Sequence, residues 1–272
     1  MRKKNPERMK NMKIEAKLHT VHFPYPKTPP KRVRIYVPEH NEGEKMPVIY
    51  MTDGQSLFIE GECPWGCWNV IETADSFASQ GKGVIIVGID HGGQHRDSEL
   101  TPASIGEVIS PELLDDTFTP LGEEFDRFVV NTVMPYVEEH HPVKLGKEYT
   151  AFCGSSSGGL QSFFAGLEHP DLFSVIGAFS PAFLLYSAES WSSWISSKLR
   201  DDMPYLYIYT GGGDDMEKKI YFSTELIYDM LLALGYPYEE MNEVIMLEYC
   251  HNEKAWGEIF KDFVYTFLEG IE

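Results

Sequence analysis

Residues 149–170 read Tyr-Thr-Ala-Phe-Cys-Gly-Ser-Ser-Ser-Gly-Gly-Leu-Gln-Ser-Phe-Phe-Ala-Gly-Leu-Glu-His-Pro, a stretch with little freedom in its local structure. The run 149–153 has the aromatic and β-prone character of a strand. Leu160, Phe163, Phe164 and Leu167 then recur at helical spacing until Pro170 stops the helix. Between the two stands one Gly-x-Ser-x-Gly, centred on Ser156. The pentapeptide alone is a weak signal, equally open to a glycine-rich turn with incidental serines. Set between strand and helix it is a strong one. A sharp turn there holds a serine Oγ at the C-terminal edge of a sheet, and the glycines let neighbouring backbone pass close beside it. Ser156 is therefore a candidate nucleophile, and the Ser157 amide, opening the helix, a candidate donor to an oxyanion.

The rest of the chain repeats this alternation. Strand-like runs occur at 33–37, 48–51, 84–89, 149–153, 175–179, 205–209 and 244–249, with helical patterns between them. Strand alternating with helix predicts an α/β fold with a mostly parallel central sheet flanked by helices. In the helical stretch 123–140, Pro135 predicts a kink, because proline cannot donate to the preceding turn. The final helix carries Trp256, Ile259, Phe260, Phe263, Val264, Phe267 and Leu268 on one stripe, which should pack on the sheet. No linker-like tract divides the 272 residues, so one domain is expected over 18–272, after a basic tail at 1–17.

Charge and cysteine content exclude several classes of function. Lys and Arg number 23 against 42 Asp and Glu, a net charge of −19 that repels nucleic acid. The basic start is interrupted by Asn11, Lys13, Glu15 and Lys17, which breaks the apolar run a signal peptide needs. No segment approaches 18 uncharged apolar residues, so the expectation is a cytoplasmic protein without a membrane partner. Cys63, Cys67, Cys153 and Cys250 are too scattered for a disulfide framework and read as reduced thiols, a local Cys63–Cys67 bridge being the alternative.

A serine at neutral pH needs a base, and the base needs an acid that fixes its tautomer. In the order Ser, acid, His that this strand arrangement favours, both follow later strands. After 205–209 comes Thr210-Gly211-Gly212-Gly213-Asp214-Asp215, where either aspartate can serve and Asp214 is preferred. After 244–249 come Cys250 and His251, directly ahead of the last helix. His140, His141 and His169 fall at helix ends, where capping or solvation suits them better. The second half of the oxyanion hole should come from the turn after the 48–51 strand, where Gly54 permits tight geometry and Gln55 and Ser56 are the candidate donors. The later glycine loop at 90–96 should form a wall of the cleft; His91 and His95 lack a clear third ligand, and neither a metal nor a cofactor is expected.

With these residues in place the chain resembles the esterase group of α/β-hydrolases that includes enterochelin esterase-like proteins, esterase D and the family 1 carbohydrate esterases. The family's Asp-Gly-Gln-Asn-Leu-Phe loop is matched at 53–58 with Ser56 for Asn, its Val-Gly-Ile-Asp segment at 87–90, and its Arg-x-x-Glu-x-x-Pro stretch by Arg96, Glu99 and Pro102. Its Gly-x-Ser-Met-Gly-Gly elbow is matched at 154–159 with Ser157 for Met, followed by His-Pro-Asp-x-Phe at 169–173 and Ser180-Pro181. Its acid motif, often Gly-Gly-x-Glu, is similar to 211–214 and supports Asp214. Its His-x-Glu-x-Ala-Trp signature is matched by His251, Glu253, Ala255 and Trp256. The resemblance runs from about residue 33 onward and implies the α/β-hydrolase fold and a serine esterase.

The expected chemistry is an acyl-enzyme on Ser156, with His251 moving the proton and Asp214 orienting the imidazole. The expected substrate is a small-molecule or oligosaccharide ester, with acetyl or feruloyl esters of carbohydrates first. A siderophore trilactone is the alternative substrate, and a catalytically inactive binding module on the same fold the alternative outside enzymology. The segment 181–203, rich in aromatics, is where such folds insert a cap. Phe183, Trp191 and Trp194 within it, together with Trp65, Trp68 and Arg96, are candidate substrate-binding residues, the aromatics being equally compatible with a core role and Arg96 with a structural ion pair to Glu99.

Overall fold

A computed structural model describes residues 13–26, 29–109 and 118–271. Its eight-stranded sheet comprises β1 (Lys17–Phe23), β2 (Lys31–Val37), β3 (Val48–Met51), β4 (Ile85–Ile89), β5 (Thr150–Ser155), β6 (Val175–Phe179), β7 (Tyr205–Gly211) and β8 (Met241–Met246). Their spatial order is β8-β7-β6-β5-β3-β4-β2-β1. β1 runs antiparallel to β2 and β2 to β4, whereas every other neighbouring pair is parallel. The four central strands, β3 to β6, are buried along their whole length, which is why they read as unbroken apolar runs.

The helices are α1 (Val70–Ala78), α2 (Gly122–Phe128), α3 (Met134–His140), α4 (Ser157–Glu168), α5 (Ala188–Lys198), α6 (Asp215–Leu234) and α7 (Glu253–Glu269). Successive side chains of a strand point to opposite faces, so each strand feeds two cores. On β5, Phe152 joins the core under α2 to α6, while Ala151 and Cys153 join the one under α1 and α7. The stripe on α7 packs as its spacing predicts, and Trp256, Phe260, Phe263 and Phe267 are all buried. Between α2 and α3, where Pro135 predicts a kink, the backbone widens into a π turn over Val129–Val133.

Three expectations change. β1 pairs with all of β2 from Lys17 to Phe23, and Lys13–Ile14 pairs with His40–Asn41, so the described part of the tail is strand; residues 1–12 lie outside the described residues. β1 escapes the sequence pattern because it lies at the sheet edge with no buried position. The 181–203 segment is not a cap. It forms a short turn at Phe183–Leu185 and then α5, whose Trp191 and Trp194 are built into the larger core. Trp191 donates its indole N–H to the Phe183 carbonyl at 2.8 Å, and Trp194 stacks on Phe164 at 5.4 Å. The last strand starts and ends three residues earlier than its apolar run suggests, at Met241–Met246, so that 247–252 forms the loop carrying His251. All four cysteines are free thiols, and among the described residues no helix is long and apolar enough to cross a membrane.

Candidate active site

β3 and β5 lie side by side, but the chain leaves them in different directions, because β4 sits on one side of β3 and β5 on the other. Sheets of this kind open a crevice at such a switch point, outside the carboxyl ends of the strands. The turn after β3 and the elbow after β5 meet there.

Ser156 sits between β5 and α4 at φ 58°, ψ −124°, a backbone conformation costly for a side-chain-bearing residue. Its N–H donates to the Phe179 carbonyl at 2.9 Å and its carbonyl accepts from Ala182 N–H at 3.1 Å, so the end of β6 pins the elbow. Gly158 is required for close approach: a Cβ there would overlap the Thr52 hydroxyl and come within 2.9 Å of the Asp53 carboxylate. The turn after β3 therefore lies directly on the start of α4.

That turn is a single 3₁₀ turn, Gly54–Ser56, entered through Asp53 at φ 55°. The Ser56 N–H donates to the Asp53 carbonyl at 2.8 Å and is not available to a ligand. Among the described residues the Gln55 amide, the other expected donor, makes no hydrogen bond, and the Ser157 amide, in the first turn of α4, is likewise unpartnered. Residues 53 and 155–157 are tied together by Arg96. Its Nε donates to Asp53 Oδ1 at 2.7 Å, and Nη2 to Asp53 Oδ2 at 2.9 Å and to the Ser155 carbonyl at 3.2 Å. Nη1 donates to Asp97 Oδ1 at 3.2 Å, and that same oxygen accepts from Ser157 Oγ at 2.8 Å. Burial alone would raise the Asp53 carboxyl, but the adjoining guanidinium outweighs it and holds the group below its ordinary range.

His251 follows β8 and precedes α7, whose N-cap is the Asn252 side chain. Its Nδ1 lies 2.9 Å from Glu217 Oε1, and its ring edge packs on Trp256 at 4.9 Å. Glu217 has no exposed side-chain surface, and its other oxygen accepts from Gly211 N–H at 3.0 Å. The carboxylate expected at Asp214 is therefore not the one on the imidazole. Asp214 instead caps α6, Oδ1 accepting from the N–H groups of Met216 and Glu217 at 2.9 Å each, and Oδ2 accepts from the His251 backbone N–H at 2.7 Å. Burial works to raise the Asp214 carboxyl, but the three amides outweigh it and hold it low. Asp215 points away, fully exposed, toward Lys218. Asp214-x-x-Glu217 has the spacing of a helix-capping box, a signal in the sequence that assigns Asp214 to the cap.

Ser156 and His251 line one cavity of about 580 Å³, with Gln55, Ser56, Arg96, Trp65, Trp68 and Trp256 on its walls. Trp65 is the most exposed indole, at 77%, whereas Trp68 shows only an edge and otherwise packs on Phe179 and Phe260. Phe183, Trp191 and Trp194 do not reach the cavity and are core residues. The 90–96 loop forms one wall through His91, Gly93 and Gln94. Glu253, from the His-x-Glu-x-Ala-Trp signature, and Asp97, which the sequence pattern did not single out, add carboxylates; burial, then the charge of Asp53, raises the Glu253 carboxyl above its usual value. Arg96 pairs with Asp53 and not with Glu99, which instead forms a buried ion pair with Lys31 at 2.6 Å. Among the described residues no group of three His, Cys, Asp or Glu is placed to hold a metal ion.

Comparison with known proteins gives a consistent picture. Residues 29–224 match the family model described as "Putative esterase". The uncharacterized protein YbbA of Bacillus subtilis (strain 168) is 25% identical over 242 residues, covering 85% of this chain and 89% of its own. Among solved structures, the siderophore hydrolase EstA of Aspergillus nidulans superposes with a TM-score of 0.71 at 21% identity, over 99% of this chain and 98% of its own. A CE1 ferulic acid esterase from Anaeromyces mucronatus superposes with a TM-score of 0.65 at 18% identity, over 98% and 97%. At these identities the two structures establish the shared α/β-hydrolase fold.

Proposed function

The chain belongs to this esterase family, and from that premise we propose that it is a serine carboxylic ester hydrolase working through an acyl-enzyme. The observation that carries the proposal is the convergence on one cavity of Ser156, on its strained elbow, and His251, whose Nδ1 is held by a buried carboxylate. Glu217 on Nδ1 fixes the tautomer in which Nε2 is the acceptor, and stabilises the imidazolium once the Ser156 proton has moved. Ser156 Oγ attacks the ester carbonyl, and the amides of Gln55 and Ser157 receive the negative charge that develops on its oxygen. His251 returns the proton to the departing alcohol. A water then repeats the sequence on the acyl-enzyme, releasing the acid and restoring Ser156.

The cavity's size and its three indoles suit a small acyl group together with a sugar face or an aryl acid, so acetyl and feruloyl esters of carbohydrates are the proposed substrates. A siderophore trilactone bearing anionic catecholates finds less support. Arg96 is already engaged with Asp53 and Asp97, and Glu253 adds a carboxylate to the lining, so the described cleft offers such an anion no uncommitted cation.

The proposal is tested with p-nitrophenyl acetate through octanoate, methyl ferulate and an acetylated xylo-oligosaccharide, on wild type and Ser156→Ala. Expected are a stoichiometric burst of p-nitrophenol in wild type and a loss of at least about a thousandfold in turnover in the variant. Equal activity in folded wild type and variant, or no turnover of any ester, refutes it.

A further inference from the structure

The two amides proposed to receive the oxyanion come from segments a hundred residues apart in the chain, Gln55 after β3 and Ser157 after β5. The last backbone bond between the two segments is Thr52 N–H to the Cys153 carbonyl at 3.2 Å; beyond it, among the described residues, no backbone hydrogen bond joins the turn 53–57 to the elbow 154–157. A hole built of two parts stabilises a transition state only if the parts keep their spacing, since donors must lie within hydrogen-bond distance of one oxygen.

We propose that Arg96 is the positioning residue that sets this spacing, one guanidinium holding the β3 turn and the nucleophile elbow in mutual register; this rests on the serine-esterase reading above. Four of the five N–H groups of a guanidinium are occupied here, two by the Asp53 carboxylate, one by the Ser155 carbonyl and one by Asp97. Asp53 immediately precedes Gly54-Gln55, and its carbonyl already holds the Ser56 N–H, so fixing Asp53 fixes the turn that presents the Gln55 amide. Ser155 immediately precedes the nucleophile. Asp97 closes the other arm by accepting from the hydroxyl of Ser157, the residue that offers the second amide. The fork geometry matters: Nε and Nη2 bind the two oxygens of one carboxylate in parallel, which fixes orientation as well as distance.

Arg96 is itself held. It opens the single helical turn Arg96–Glu99, and Glu99, buried at the end of that turn, is fixed by Lys31 at 2.6 Å and by the Gly92 N–H at 2.9 Å. The turn after β3 has a second tie, because the Arg34 guanidinium donates to the Gly54 carbonyl. Arg34 otherwise donates to Glu62 Oε2 at 2.7 Å and, among the described residues, makes no bond to the elbow, whereas the Arg96 guanidinium bonds to both segments. The same bonding argues against Arg96 as a receptor for a substrate carboxylate, since a single N–H remains for one.

The test uses Arg96→Ala, Arg96→Lys and the paired Arg96→Gln/Asp53→Asn, the last removing both charges so that no buried carboxylate is stranded. Each variant is titrated by its p-nitrophenol burst, so that rates refer to active sites and not to total protein. With p-nitrophenyl butyrate, Arg96→Ala should lose about a hundredfold in kcat with KM within about threefold, as expected for a displaced oxyanion donor. The affinity for an alkyl boronic acid, whose adduct with Ser156 mimics the tetrahedral intermediate, should fall by a similar factor. Arg96→Lys, which keeps the charge but not the fork, should fall between, and free guanidinium should partly restore Arg96→Ala. Should Arg96→Ala fail to fold, Arg96→Lys and the paired variant carry the same comparison. A role confined to stability would lower the melting temperature and the titre while leaving kcat per site and boronate affinity unchanged, and that result overturns the proposal. Wild type that turns over no ester overturns the esterase reading instead, and this inference with it.

Discussion

The sharpest test of the site is Glu217→Gln set against Asp214→Asn, because the two carboxylates lie three residues apart and only one touches the imidazole. In Glu217→Gln the shape of the side chain is preserved, and the amide oxygen can still accept from Gly211 N–H, where Glu217 now does so at 3.0 Å. The amide nitrogen then faces His251 Nδ1, which stands 2.9 Å from the present carboxylate oxygen. An NH₂ group there donates to Nδ1 and forces the proton onto Nε2, the nitrogen that must accept from Ser156. The negative charge that stabilises the imidazolium is also gone. Together these should reduce kcat by roughly a thousand- to ten-thousandfold, about 4–5.5 kcal/mol of barrier, with little effect on the melting temperature. Asp214→Asn leaves the tautomer alone. It weakens a helix cap and one bond to the His251 N–H, 2.7 Å long at present, and should cost about tenfold in kcat with about 1 kcal/mol of stability. The assay is steady-state hydrolysis of p-nitrophenyl acetate, normalised by the burst and followed from pH 5 to 9. Glu217→Gln within tenfold of wild type, or Asp214→Asn as the more damaging change, refutes the assignment of the acid.

Two further outcomes follow from burial. Trp191 is 1% exposed and wedged among Phe163, Phe183 and Trp194, so Trp191→Phe should cost about 2 kcal/mol in urea unfolding without altering the acyl-chain preference; a shifted preference would return 181–203 to the cleft. Glu243, half-buried on β8, has its pKa pushed up to about 7 by burial and then by Glu225 and Asp229. Its folded value exceeds its unfolded one, so the protein loses stability as pH rises through that range, and Glu243→Gln escapes the loss. The variant should gain about 1 kcal/mol at pH 8, after allowance for solvent screening, and almost nothing near pH 4; an equal gain at both values contradicts the titration.

The parts of the site set by local sequence were legible before any coordinates. Strand, turn and helix around Ser156 are specified by adjacent residues, and His251 by its place between a strand and an amphipathic helix. Glu217 was not, because the expected acid lay in the loop itself, whereas the observed one projects from the first turn of α6 back under the loop. The spacing to Asp214 marked a cap but not the direction of the next carboxylate. Arg96 was visible as a charge, yet its partner Asp53 lies 43 residues upstream, and Glu99, nearer in sequence, is drawn off by Lys31. Nor does helical spacing say which side of a sheet an aromatic stripe will meet: Trp191 and Trp194 look as suited to a sugar as to a core, and only the docking of α5 on α4 decides between them.

Placing the base on the segment between β8 and α7 has a consequence for the order in which a nascent chain acquires its properties. The proposed nucleophile Ser156, the proposed oxyanion donors Gln55 and Ser157, Arg96 and the proposed acid Glu217 all precede residue 218, whereas His251 and α7 come later. Without α7, Phe179 and Tyr207 on one sheet face, and Trp68 packed on Phe179, lack the residues that cover them, Trp256, Phe260 and Phe263. The residues that cover that face and the proposed proton acceptor thus belong to one contiguous stretch of chain. A chain without 251–272 lacks both the proposed base and the helix that covers that face, so under the proposed mechanism reactivity is tied to the segment that hides this hydrophobic surface.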